Sequence, residues 1–159
     1  MKVLIVSDTH RHNDNLMKVL ELEKPIDTLI HLGDIEGSEA LIRSSAGCQC
    51  YMVAGNNDYF SSLNKDIKTR IGKYWVLMTH GHNYYVSLGY ERLALEAISQ
   101  GVNIAMFGHT HRPVVETMNG VIMVNPGSLS YPRQANGKPS YIVMDVDKKG
   151  EVNFEIKYL

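Results

Sequence analysis

Cysteine is nearly absent: Cys48 and Cys50 are the two among 159 residues. Their spacing fits neither a disulfide framework nor a Cys-x-x-Cys metal ribbon. They read as reduced, small core residues facing one way on a strand, in a chain expected to be cytoplasmic. A surplus of charge is missing too. The formal net charge of -1 supplies no broad cationic field for gathering DNA or RNA, so nucleic acid is not an expected partner. No apolar run approaches membrane length, because Ser7-Asp8-Thr9-His10 interrupts the opening Met1-Lys2-Val3-Leu4-Ile5-Val6. No membrane association is expected. The chain also lacks the Walker-type and dinucleotide glycine patterns, repeats, low-complexity tracts and Pro/Ser-rich linkers. One domain over residues 1–159 is therefore expected, long enough to bury a core without staples.

What is present alternates strand and helix at first. Val3 to Ser7 reads as a buried strand. Asn15 to Glu23 follows with Leu16, Val19, Leu20 and Glu23 at helical spacing, stopped by Pro25. Thr28 to Leu32 predicts a second strand, Ser38 to Ser45 a short helix capped by Ser38, and Cys50 to Ala54 a third strand. A βαβαβ order predicts a parallel sheet. Another sheet begins with Lys68 to Gly72 and Tyr74 to Met78 around a turn at Gly72-Lys73. A helix over Leu88 to Gln100 follows, carrying Leu88, Leu95 and Ile98. Ile104 to Phe107, Val114 to Met118, Val121 to Val124, Tyr141 to Asp145 and Val152 to Tyr158 complete the strands, with Asn119-Gly120 a hairpin signal. The economical architecture is an α/β sandwich of two sheets.

The acids and histidines fall just beyond apolar runs. Asp8 and His10 follow the first strand, Asp34 the second, Asn56 the third, His80 a later one, and His109 and His111 another. Loops at the carboxyl ends of parallel strands converge on one crevice, so these side chains can meet. Each fragment alone is an ordinary turn or strand-end residue. His109-Thr110-His111 is more telling, because alternate positions on an extended segment put both imidazoles on one face. Oxygen and imidazole donors without thiolate suit Mn, Fe, Ni or Zn. Seven donors exceed the need of one tetrahedral ion, and a carboxylate can bridge two ions, so two is the better count.

The ordered series Asp8-Thr9-His10, Gly33-Asp34, Gly55-Asn56-Asn57-Asp58, His80 and Gly108-His109-Thr110-His111 resembles the calcineurin-like metallophosphoesterases. Asn125-Pro126-Gly127-Ser128 with Tyr131-Pro132-Arg133 is similar to a loop of the family's small bacterial and archaeal phosphodiesterases, extending the resemblance over about residues 1–133. The resemblance implies a dinuclear centre of divalent ions, with Mn²⁺ expected and Ni²⁺, Fe²⁺ or Zn²⁺ compatible. One ion would be held by Asp8, His10, Asp34 and His111, the other by Asp34, Asn56, His80 and His109, with Asp34 bridging. A hydroxide between the ions would then attack a small phosphodiester in line. Self-association into a homo-oligomer is also implied.

Asn57 departs from the pattern, standing where many members carry a histidine that serves the leaving group or phosphate, and an amide cannot act as that acid. His82 is either a phosphate contact or a solvated loop histidine. Arg133 is either a phosphate grip or an exposed salt-bridging residue. His12 reads as a loop residue and His31 as a satisfied core histidine. Tyr59, Tyr84, Tyr85, Tyr90 and Tyr131 either wall a groove for a base or aromatic ester or, for most, pack in the core. Two rival functions share the fold. One is a non-catalytic assembly scaffold similar to a retromer subunit, against which every ligand position here matches. The other is a nuclease, for which the roughly 48 residues after His111 leave little room.

Overall fold

A computed structural model describes all 159 residues. Strands β1 (Lys2–Val6), β2 (Thr28–His31) and β3 (Gln49–Met52) run parallel, joined by α1 (Asp14–Glu23) and α2 (Glu39–Ala46). The chain then builds the second sheet from β4 (Asp66–Ile71), β5 (Tyr74–Thr79), α3 (Glu91–Ser99), β6 (Ile104–Met106), β7 (Pro113–Met118) and β8 (Val121–Pro126). It returns through β9 (Ser140–Val146) and β10 (Val152–Tyr158) to the first. The sheets are ordered β10-β9-β1-β2-β3 and β4-β5-β6-β8-β7. This is the expected two-sheet α/β sandwich.

Strand alternation explains the layers. Along β1, Val3 and Ile5 face the second sheet and pack with Val76, Met78, Ile104, Met106 and Val124. Leu4 and Val6 point the other way, onto Leu16, Val19 and Leu20 of α1 and Ile42 of α2. Burial on both faces is why these strands read as unbroken apolar runs. Each large aliphatic side chain so buried contributes about 1.5–3 kcal/mol. At the hairpin between β7 and β8, Asn119 and Gly120 have φ of 51° and 84°, the paired positive angles of a type I′ turn.

Several local expectations need correction. Helix α3 starts at Glu91 and buries Leu93, Ala94 and Ala97, whereas Leu88, Leu95 and Ile98 are exposed. The alanines permit close approach to Leu77, Ala105 and Met123 of the sheet, a contact that a search for large apolar residues overlooks. Ser38 occupies the N-cap position of α2 without capping it, and its Oγ accepts from Asn13 Nδ2 at 2.9 Å. Cys48 and Cys50 are free and half-buried against the helix-side core, where burial raises both thiol pKa values. No helix is long and apolar enough to cross a membrane.

Glu23, at the end of α1, is a carboxylate inside the helix-side packing. It accepts from Tyr141 Oη at 2.9 Å and pairs with Lys2 at 2.7 Å and Lys157 at 3.0 Å, tying α1 to β1, β9 and β10. Burial alone would raise its pKa, but the bonds from Lys2, Lys157 and Tyr141 outweigh it and lower the value from 4.5 to about 2. The contribution is thus fully present above pH 4.5 and lost as pH falls toward 2. Acid titration of stability should show about 2–3 kcal/mol of this loss, absent in Glu23→Gln. Equal acid sensitivity of parent and variant would contradict the assignment.

Candidate metal centre

The carboxyl ends of β1, β2, β3, β5 and β6 lie along one edge of the sandwich, and the structure brings all seven ligand candidates there. Asp8, His10, Asp34 and Asn56 come from the first sheet, His80, His109 and His111 from the second. Asp8, Asp34, His80 and His111 are buried, with His10, Asn56 and His109 half-buried. Five of the seven have left-handed backbone: Asp8 (φ 54°), His10 (46°), Asp34 (54°), His109 (66°) and His111 (58°). Such geometry costs about 1–3 kcal/mol per residue and persists where surrounding contacts over-determine it.

Those contacts are specific. Asp58 Oδ1 and Oδ2 accept from the amides of Ile35 (3.0 Å), Glu36 (2.6 Å) and Gly55 (2.7 Å), clamping the loops after β2 and β3 together. Asp34 in turn accepts from Asn57 N at 2.9 Å and Asn57 Nδ2 at 2.8 Å. The loops approach so closely that a Cβ on Gly55 would stand 2.1 Å from Asp34 Oδ1. Asp8 Oδ2 accepts from His109 N at 3.1 Å, and Ser128 Oγ donates to the Asp8 carbonyl at 2.8 Å.

The partners of three histidines fix their tautomers. His80 Nδ1 donates to the Leu32 carbonyl and His111 Nδ1 to the Tyr131 carbonyl, both at 2.7 Å, and a carbonyl only accepts. His10 Nδ1 donates to the Glu36 carboxylate at 2.7 Å. In the neutral ring each Nε2 is therefore a bare lone pair aimed inward, and what it meets is another acceptor. His10 Nε2 faces His111 Nε2 at 3.4 Å, and His80 Nε2 faces Asn56 Oδ1 at 3.1 Å. Asp34 Oδ2 lies 3.5 Å from His80 Nε2 and 3.7 Å from His10 Nε2. Asp8 Oδ1 is 3.1 Å from His111 Nε2, is buried, and has no hydrogen-bond partner.

Acceptors crowded this way repel unless a cation lies among them. Two ligand atoms about 2.1 Å from one ion sit roughly 3.0–3.4 Å apart, so the spacing suits a shared metal. Asp8, His10 and His111 form one compact donor group, and Asp8, Asp34 and His80 a second. Protons can partly replace the cations. Burial opposes it, yet a proton on His111 Nε2 could be donated to Asp8 Oδ1, and that bond with the Asp8 charge raises the His111 pKa; burial raises the Asp8 pKa, but protonated His111 and His80 outweigh it and hold it at about 2.

The remaining candidates divide. His82 lies near the cluster, with its ring 5.4 Å from His80 and 6.2 Å from His109. Its Nδ1 is buried without a partner, and burial followed by the charge of His80 lowers its pKa. Arg133 is exposed and makes no ion pair, so the salt-bridge expectation fails. His31 is buried and bonded to Thr9 through Nε2, but Nδ1 is unpartnered. Burial pushes its pKa down to about 4 and leaves it neutral. Core packing holds only for Tyr84 and Tyr90; Tyr59, Tyr85 and Tyr131 are exposed. Sequence reasoning missed Glu36 and gave Asp58 no role. Their signal was position, two residues after Asp34 and at the close of Gly55-Asn56-Asn57-Asp58.

Comparison with known proteins meets this geometry. A probable metallophosphoesterase of Mycoplasma genitalium is 30% identical, over 99% of this chain and 95% of its own. A phosphodiesterase of Methanocaldococcus jannaschii is 30% identical over 94% and 95%. Among solved structures, a predicted phosphoesterase of Streptococcus pneumoniae superposes with a TM-score of 0.80 (24% identity, 99% of this chain, 88% of that one). Wild-type Vps29 of Entamoeba histolytica, complexed with zinc, gives 0.77 (22% identity, 99% of each). These two likenesses show the fold alone. The calcineurin-like phosphoesterase superfamily domain matches residues 1–149, and with that match the chain belongs to this superfamily and is a metal-dependent phosphoester hydrolase.

Proposed function

We propose that the chain is a phosphodiesterase working at a dinuclear divalent-metal centre. Asp8, His10, Asp34 and His111 would hold one ion, and Asp34, Asn56, His80 and His109 the other. The convergence of acceptor-only atoms carries this reading, since Asp34 Oδ2 lies between the imidazoles of His10 and His80. Bound divalent cations supply Lewis acidity, neutralising phosphoryl charge and acidifying water. The chain's own part is to hold three histidines as Nδ1–H tautomers, keep Asp8 ionised, and steady Asp34 through Asn57. Glu36 makes His10 a better donor by accepting its proton-bearing nitrogen.

A scaffold reading draws support from the likeness to Vps29, but the complete donor set favours turnover. The deciding experiment removes metal by chelation, restores Mn²⁺, Ni²⁺, Fe²⁺ or Zn²⁺ singly, and measures hydrolysis of bis(p-nitrophenyl) phosphate and p-nitrophenyl phosphate. Metal-restored cleavage of the diester is expected. Stoichiometric metal uptake with no hydrolysis of either ester would replace the enzyme with the scaffold.

A further inference from the structure

The mouth of the site is divided by charge. Toward Asn57 it is walled by Glu36, Glu39 and Asp58 together with Arg11, Tyr59 and Phe60. On the other side a groove of about 410 Å³ runs between the Val86–Tyr90 loop, Thr110, Arg112 and Arg133. No carboxylate lines it, and its charged side chains are the two arginines. Neither takes part in any ion pair of the protein. Arg112 Nε donates to the Arg133 carbonyl at 3.3 Å, and the other guanidinium N–H groups have no protein acceptor.

The groove is attached to the candidate metal centre. Arg133 N donates to the His111 carbonyl at 3.0 Å, and His111 Nδ1 donates to the Tyr131 carbonyl two residues before Arg133. Two guanidiniums held in no ion pair, this near a centre built for a phosphoryl group, match the forked geometry that grips phosphate oxygens. Leu88, 88% exposed, and Tyr90 offer apolar surface in the same groove to the organic part of such a ligand.

We propose that Arg112 and Arg133 form a second anion subsite, so that the preferred substrate is a phosphodiester with a further phosphate on one arm. The inference rests on the phosphodiesterase reading of the metal centre. The scissile diester lies at Asp8, Asp34 and the histidines, while the second phosphate lies between the guanidiniums. The acidic opposite wall repels the same group and sets the direction in which the substrate enters.

The test compares p-nitrophenyl thymidine 5′-phosphate with the same ester bearing a 3′-phosphate. In the Mn²⁺-loaded parent, kcat/KM should favour the second ester by on the order of tenfold or more, the scale of one or two charge-assisted contacts. In Arg112→Gln/Arg133→Gln the ratio should fall to about one, and in Arg133→Lys to an intermediate value, because an ammonium keeps charge but not the fork. Arg70→Gln, on β4 away from the site, should keep the parent ratio and so separate the subsite from general electrostatics. A parallel calorimetric comparison with Ca²⁺ present uses thymidine 3′,5′-bisphosphate and thymidine 5′-phosphate, reads the same ratio as affinity, and needs no turnover. A parent ratio near one, or one that survives in the double variant, overturns the subsite. Hydrolysis of neither ester with the binding ratio intact would reject the diesterase reading and leave the anion subsite standing.

Discussion

Asp34→Asn is expected to lower diester hydrolysis on the order of a thousandfold, more than any other single ligand change, and to release metal from both positions. Its Oδ2 lies between His80 Nε2 at 3.5 Å and His10 Nε2 at 3.7 Å, so one oxygen would serve both ions. An amide there removes the one formal charge the two ions would share, and a Lewis acid stabilises a phosphoryl transition state by several kcal/mol. The variant should still fold. The Asn57 amide that donates to Asp34 Oδ1 can donate to an asparagine carbonyl as well, and Asp58 clamps the same loops independently. Metal analysis, hydrolysis and thermal denaturation of one preparation test the claim. Two ions retained with hydrolysis at the parent rate would reject the bridging role.

The second large effect concerns the departing oxygen. Asn57 stands where a proton donor would serve it, and its amide is tied to Asp34 Oδ2 at 2.8 Å, unable to act as an acid. His82 is the neighbouring alternative. Burial and the charge of His80 lower its pKa, which works against its carrying the proton. Without an acid the rate should depend steeply on leaving-group pKa, activated aryl diesters outpacing alkyl ones. General acid help is worth about 10²- to 10⁴-fold for poor leaving groups. Asn57→His should flatten the dependence. Rates for diesters of similar shape in the parent, Asn57→His and His82→Ala decide the matter. A flat dependence in the parent that steepens in His82→Ala would identify His82 as the donor and defeat the proposal.

The sequence displayed the sandwich clearly where burial is two-sided. Val3 to Val6 and Ile104 to Met106 are continuous apolar runs, with Leu29 and Ile30 a shorter one, because each face meets a different layer. It was misleading for α3, since the packed face is made by alanines and the large residues project into solvent. The seven candidate residues could be gathered because each follows a strand, and all reach one edge. What stayed hidden is what depends on tertiary partners: the Glu36 contact that orients His10, the three amides on Asp58, and the lack of an ion pair at Arg112 and Arg133. A surface arginine and an unsatisfied one look alike in a sequence. Only packing tells them apart.

The origin of the site residues has a mechanical consequence. Asp8, His10, Asp34 and Asn56 are rooted in one sheet and His80, His109 and His111 in the other, and no strand pairs across the two. Besides side-chain packing, the open edge is crossed by a few bonds, such as His80 Nδ1 to the Leu32 carbonyl and His109 N to Asp8 Oδ2. A loaded centre would therefore act as a rivet through the seam, resisting sliding of the sheets as well as holding substrate. Stripping the metal should speed amide exchange first in the loops following β1, β2, β5 and β6, while the far edge of the sandwich keeps its protection.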